Sequence, residues 1–161
     1  MMGHNNTMKL IFLLTLFFSA AAFAQLATKK SMTLDAAKKI AAAAEAEAVA
    51  NKWTVVIVIV DDGGNLVYLQ KIDDTQIGSV DVAIAKAQSA VKFKRPTKAF
   101  EESIAGGRQV ILKLPGAMPI EGGIPLMLDG KVIGAIGVSG VQSNQDGQIA
   151  AAGVKAFEKM K

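Results

Sequence analysis

Apolar and polar positions change period several times along this chain, and each change marks an element. Leu34, Ala37, Ala41, Ala44 and Ala48 recur at three- and four-residue steps, a helical stripe made mostly of alanine. Thr33 stands where an N-cap belongs, so the pattern predicts a helix from there to about Ala50. Lys38, Lys39, Glu45 and Glu47 fall off the stripe as a solvated face. From Trp53 to Val60 the helical period disappears. The run Trp-Thr-Val-Val-Ile-Val-Ile-Val is β-branched without alternation, which predicts a strand covered on both faces. Asp61-Asp62-Gly63-Gly64-Asn65 is a turn by composition, and Leu66 to Lys71 is the returning strand of a first hairpin.

Helical spacing returns at Val80, Ile84, Ala87 and Val91, with Ser79 as the cap. This helix ends near Lys94, because Arg95 precedes Pro96 and is driven out of the helical region. A short helix follows from Thr97 to Ile104, closed by Gly106-Gly107. Gln109 to Leu114 reads as a strand stopped by Pro115-Gly116. Ile124 to Leu128 and Val132 to Ser139 flank Asp129-Gly130, a strong hairpin signal because a type I′ turn needs positive φ at both central residues. Pro125 cannot donate to a ladder, so its strand lies at an edge or carries a bulge. Gly134 and Gly137 inside the second strand make sense where another backbone or a flat ligand comes close. Ser143 and Asp146 resemble a capping box that opens a last helix ending at Lys161. Hairpins in place of βαβ crossovers predict an α+β fold, an antiparallel sheet of about five strands with helices packed on it.

The first 24 residues belong to a different class. Lys9, the apolar run Leu10 to Phe18 and then Ala22-Phe23-Ala24 have the charged start, apolar centre and small-residue cleavage site of a secretory signal peptide. The apolar run is short of the roughly 20 residues that a membrane span needs. The expected mature protein is a single domain, residues 25–161, periplasmic or secreted, with no membrane span. It keeps 137 residues and, losing only Lys9, a net charge of +3 in place of +4. That charge is not a nucleic-acid footprint, since no Lys/Arg cluster is interleaved with aromatics.

Two absences narrow the chemistry further. The chain has no cysteine, and its one histidine is His4, ahead of the cleavage site. The mature chain therefore has no Ser-His-Asp or Cys-His machinery, no ordinary zinc site and no proximal histidine for haem. Gly137-Val138-Ser139-Gly140 lacks the nucleophile-elbow spacing as well. Asp61-Asp62 and Asp73-Asp74 sit beside turn residues, where Asp serves local hydrogen bonding. Lys86 lies beside the buried stripe of the second helix, either as a snorkelling lysine or aimed at a ligand carboxylate or propionate. Met118 and Tyr68 are either core and strand residues or soft and phenolate ligands for an iron porphyrin.

Several blocks in order carry a resemblance: Val60-Asp61-Asp62-Gly63-Gly64-Asn65-Leu66, Ile77 to Ala87, Arg95-Pro96-Thr97, Gly122-Gly123-Ile124-Pro125-Leu126, and Val132 to Gly140 followed by Gln145-Asp146. Over about residues 31 to 158 the chain resembles the GlcG/HbpS family of haem-binding proteins. The resemblance implies a profilin-like domain that forms symmetric homo-oligomers and binds haem or a related tetrapyrrole. It also implies partial haem degradation by some exported members. The expected site follows: Gly122, Gly123 and Pro125 give a flat ligand access at backbone level, Lys86 or Arg95 faces a propionate, and Met118 or Tyr68 approaches the metal. The histidine ligand of some members has no counterpart here. Nor has the Glu-x-x-Glu iron-binding pattern, since Glu45-Ala46-Glu47 and Glu101-Glu102 have the wrong spacing. The competing readings are a non-enzymatic binder of a small organic acid or corrinoid, and an assembly protein whose glycines serve subunit packing.

Overall fold

The computed structural model describes residues 26–160. The signal-peptide segment and Lys161 lie outside them. Helix α1 (Leu34–Ala50) is followed by strands β1 (Val56–Asp61) and β2 (Leu66–Lys71), then helices α2 (Ser79–Phe93) and α3 (Lys98–Ala105). A 3₁₀ turn (Gln109–Lys113) leads to strands β3 (Gly123–Leu128) and β4 (Lys131–Ser139) and the last helix α4 (Ser143–Glu158).

The strands form one sheet in the order β2-β1-β4-β3, and every neighbouring pair is antiparallel. The sheet has four strands where about five are expected. The missing one is Gln109–Leu114. Its N–H groups are taken locally, Ile111 donating to the Arg108 carbonyl and Leu114 to that of Ile111, so a tight turn forms between Gly107 and Pro115. Five residues between two such breaks satisfy themselves more readily than they pair with a sheet edge.

β1 sits in the centre and explains its own sequence. Val55, Ile57 and Ile59 pack into a core with α1 and α4, while Val56, Val58 and Val60 pack into a second core against α2. All six are fully buried, so a strand with two covered faces needs no polar alternation. The alanine stripe serves the first core: Ala37, Ala41, Ala44 and Ala48 are buried, with Ile40 in the place expected of Leu34, which is exposed.

Local chemistry holds the ends. The Thr33 hydroxyl accepts from the Ala36 N–H at 3.2 Å and caps α1. Asp129 and Gly130 turn the second hairpin with φ of 49° and 73°. β3 is an edge strand and also shifts register between Leu126 and Met127, so Pro125 meets both expectations for it. Gly78, not Ser79, occupies the cap position of α2. At α4 the capping pair is one residue earlier than expected: Gln145 accepts from the Gln142 N–H at 3.1 Å, which releases Asp146 for another partner.

Gly137 decides how α2 lies on the sheet. A Cβ at this position would run into the Ala83 carbonyl and the Ala87 amide, so the helix rests on β4 backbone against backbone.

Candidate functional site

The end of α2 builds the most suggestive concave surface. Lys94 takes the left-handed conformation at φ 51° and turns the chain out of the helix, as the following Arg95-Pro96 pair requires. The turn is then fastened to β3: Thr97 donates its N–H to the Gly123 carbonyl, and the Gly123 N–H returns to the Thr97 hydroxyl, each at 2.9 Å. This brings Phe93 and Phe100 together edge to face, with centroids 5.1 Å apart. The Arg95 guanidinium lies 5.5 Å over the Phe100 ring, and its Nε donates to the Phe93 carbonyl at 3.3 Å. Ser103, Arg108, Ile111 and Leu114 complete a groove of about 350 Å³. Arg108 has no ion pair among the described residues. The groove thus joins an aromatic and aliphatic wall to two guanidinium groups, a surface for a flat apolar body with anionic ends.

Lys86 does not snorkel. Its side chain is 1% exposed, and its ammonium donates to Asp146 Oδ2 at 2.7 Å and to the Val138 carbonyl at 3.0 Å. Burial pushes the Asp146 carboxyl up from its ordinary value, and the Lys86 ammonium pulls it part of the way back. The second Asp146 oxygen accepts from the Val141 N–H at 3.2 Å. Gly122 makes room for this pair. Its φ of 130° favours glycine, and a Cβ there would stand 2.6 Å from the Val138 carbonyl oxygen and 2.9 Å from Lys86 Nζ. At Gly123 a Cβ would strike the Lys86 carbonyl. These two glycines therefore receive their own chain's α2, and both are buried.

The remaining candidates separate. Met118 donates its N–H to the Ser89 hydroxyl at 3.0 Å, one helical turn before Phe93, so its loop lies alongside the groove end of α2. Tyr68 is on β2, at the sheet edge opposite β3, where it packs on the α1/α4 core and donates to Gln70 Oε1 at 3.1 Å. Pro125, half-buried, pairs with Ala135 in the ladder. The structure brings Arg95 and Met118 to one end of α2 and leaves Tyr68 on the other face of the sheet.

Phe93, Phe100 and Arg108 are groove residues that the sequence pattern does not single out. Two phenylalanines flanking Arg95-Pro96-Thr97 are the available signal, but Arg108 sits past a Gly-Gly turn whose direction the sequence leaves open.

Against this geometry the comparisons with known proteins are specific. The family model described as haem degrading protein HbpS-like matches residues 32–155, and the chain belongs to that family. Among its relatives, the Escherichia coli K12 protein GlcG is 38% identical over 112 residues, covering 70% of this chain and 84% of GlcG. Of the solved structures, Klebsiella pneumoniae protein ORFY superposes with a TM-score of 0.78 at 30% identity, covering 85% of this chain and 98% of ORFY. A double mutant of Streptomyces reticuli HbpS gives 0.76 at 31% identity, covering 84% and 93%. PduOC, crystallised as a complex with haem, gives 0.73 at 27% identity, covering 79% and 95%.

Proposed function

We propose that this protein is an exported binder of haem or a closely related tetrapyrrole, with the groove at the end of α2 as the binding surface. The observation that carries the reading is the groove's composition. An edge-to-face phenylalanine pair and two arginines share one concavity, on a fold that PduOC displays in complex with haem. A porphyrin is a flat apolar plate with carboxylates on one edge. Phe93, Phe100, Ile111 and Leu114 suit the plate, and Arg95 and Arg108 suit the propionates.

The groove offers no histidine, cysteine, methionine or tyrosine among its lining residues. Ligation of the iron would be weak, with Met118 the nearest soft donor along α2. The haem, when bound, supplies redox chemistry of its own, and the protein's part is to hold and orient it. Export rests on the Lys9, apolar run and Ala22-Phe23-Ala24 pattern, and a mature N-terminus at Gln25 in mass spectra of the native protein is the expected result. Self-association belongs to the same reading: Val110, Leu112 and Leu114 are 62%, 60% and 42% exposed, three apolar side chains within five residues.

Titrating haemin into purified residues 25–161 tests the reading. A Soret band shifted from free haemin is expected. Arg95→Gln and Arg108→Gln should each weaken binding by up to about fivefold, since a partly exposed charge pair is worth about 0–1 kcal/mol. No shift at any haemin concentration refutes it and leaves the organic-acid binder.

A further inference from the structure

A second concavity lies at the other end of the β3–β4 hairpin from the Gly122 turn, and none of the residues discussed for haem lines it. Its volume is about 580 Å³, against about 350 Å³ for the groove. The hairpin tip supplies an apolar floor from Met127, Leu128, Val132 and Ile133. Met127 remains 38% exposed. The N-terminal segment crosses one side, anchored by Met32, which is buried and packs where a Cβ on Gly134 would point.

The rim is cationic. Four lysines and two aspartates line the cleft. Lys29 pairs with Asp62 at 2.7 Å and Lys30 with Asp129 at 3.0 Å, which balances two of the four charges. Lys94 and Lys131 have no ion pair among the described residues. The cleft therefore keeps an excess of two positive charges over an apolar floor. Lysines at a hairpin tip also discourage edge-to-edge pairing, which needs no cavity. Here the side chains enclose a volume within the range of about 300–1,000 Å³ that small-molecule sites occupy. Convergent charge over apolar surface selects for an anion with an apolar body and against both a neutral hydrocarbon and a bare inorganic ion.

We propose that this cleft is a binding site for a small amphipathic organic anion, an aromatic or alicyclic carboxylate or sulfonate, held by Lys94 and Lys131 over the β3–β4 hairpin. The site is independent of the haem reading. It shares no lining residue with the groove.

Anilinonaphthalene sulfonate is a suitable fluorescent probe, and the uncharged N-phenylnaphthylamine is its control. The folded protein should bind the sulfonate saturably, with affinity falling as salt rises. Lys94→Gln/Lys131→Gln should weaken it at least about fivefold, the order expected when partly exposed ammonium–anion contacts are lost. Asp62→Asn/Asp129→Asn, which frees Lys29 and Lys30, should strengthen it. The neutral probe should respond to neither change, and the haemin Soret shift should persist in Lys94→Gln/Lys131→Gln. Unchanged sulfonate binding in that variant overturns the proposal. So does loss of sulfonate binding in Arg95→Gln/Arg108→Gln in its place, which would put the probe in the groove. Loss of the haemin shift on removing the two lysines would make the cleft the tetrapyrrole site and overturn its independence.

Discussion

The Lys86 ammonium and the Asp146 carboxylate meet at 2.7 Å, both side chains almost wholly out of solvent, from helices that lie on opposite faces of the sheet. The bond passes where β3 begins, through the space that Gly122 leaves open. It is a polar tie between two otherwise separate apolar cores.

Breaking this tie from one side leaves an uncompensated buried charge. Lys86→Ala and Asp146→Ala are each expected to cost about 3–5 kcal/mol in denaturant unfolding. The apolar double replacement Lys86→Met/Asp146→Leu should recover most of that loss, because two buried charges and their desolvation disappear together. A double replacement as damaging as either single change would show that the pair stabilises the fold beyond its own mutual neutralisation.

The first hairpin turn has a pH signature. Burial pushes the Asp61 carboxyl up, but hydrogen bonds from the Asn65 side chain and from the Asn65 and Gly63 N–H groups outweigh it and hold the group below its ordinary 3.8. A carboxyl depressed in the folded state adds stability above its unfolded value. That stability is lost as pH falls through the folded one. Thermal melts between neutral pH and acid should therefore show Asp61→Asn losing less stability than the unaltered protein below about pH 4. Parallel curves for the two proteins would contradict this.

Met118 and Tyr68 now predict different outcomes. Met118 is fastened to Ser89 one turn from Phe93, whereas Tyr68 lies across the sheet. Met118→Ala should move the Soret maximum of the haemin complex, and Tyr68→Phe should leave it in place. Optical spectra of both variants check this, and a shift only in Tyr68→Phe would place the ligand on the α1/α4 face.

Self-association is expected to depend on the 3₁₀ turn. Light scattering at tens of micromolar, roughly −6 to −7 kcal/mol of association free energy, should report at least a dimer. Val110→Glu/Leu112→Glu should move it toward monomer. A monomeric parent protein would refute the expectation.

Much of this fold is legible from sequence because it is written in local terms. The Asp129-Gly130 turn, the Thr33 cap and the two-sided Val/Ile strand each follow from residues a few positions apart. The glycines were legible as sites of close approach, but not what approaches. At Gly123 and Gly137 it is α2, and at Gly134 it is β1 and Met32, so neither a ligand nor a partner subunit is needed to explain them. Periodicity places Lys86 beside the buried stripe, yet its partner is 60 residues away and resembled a capping residue. Gln109–Leu114 has strand composition, but Gly107 and Pro115 leave it too short to find an edge. The groove was legible only through Arg95; Arg108 reaches it by a turn that composition does not orient.

Val55 to Val60, six consecutive β-branched residues without charge, is the stretch of this chain best suited to assemble into stacked cross-β layers with copies of itself. In the folded protein it is walled in by β2 and β4 along its sides and by helices above and below. The strands left at the margins carry Lys71 and Pro125, residues that discourage strand addition. Folding thus confines the segment most prone to fibril formation to the position that opens last. The hazard to this protein falls in the interval before the sheet closes, when an exported chain would be in transit.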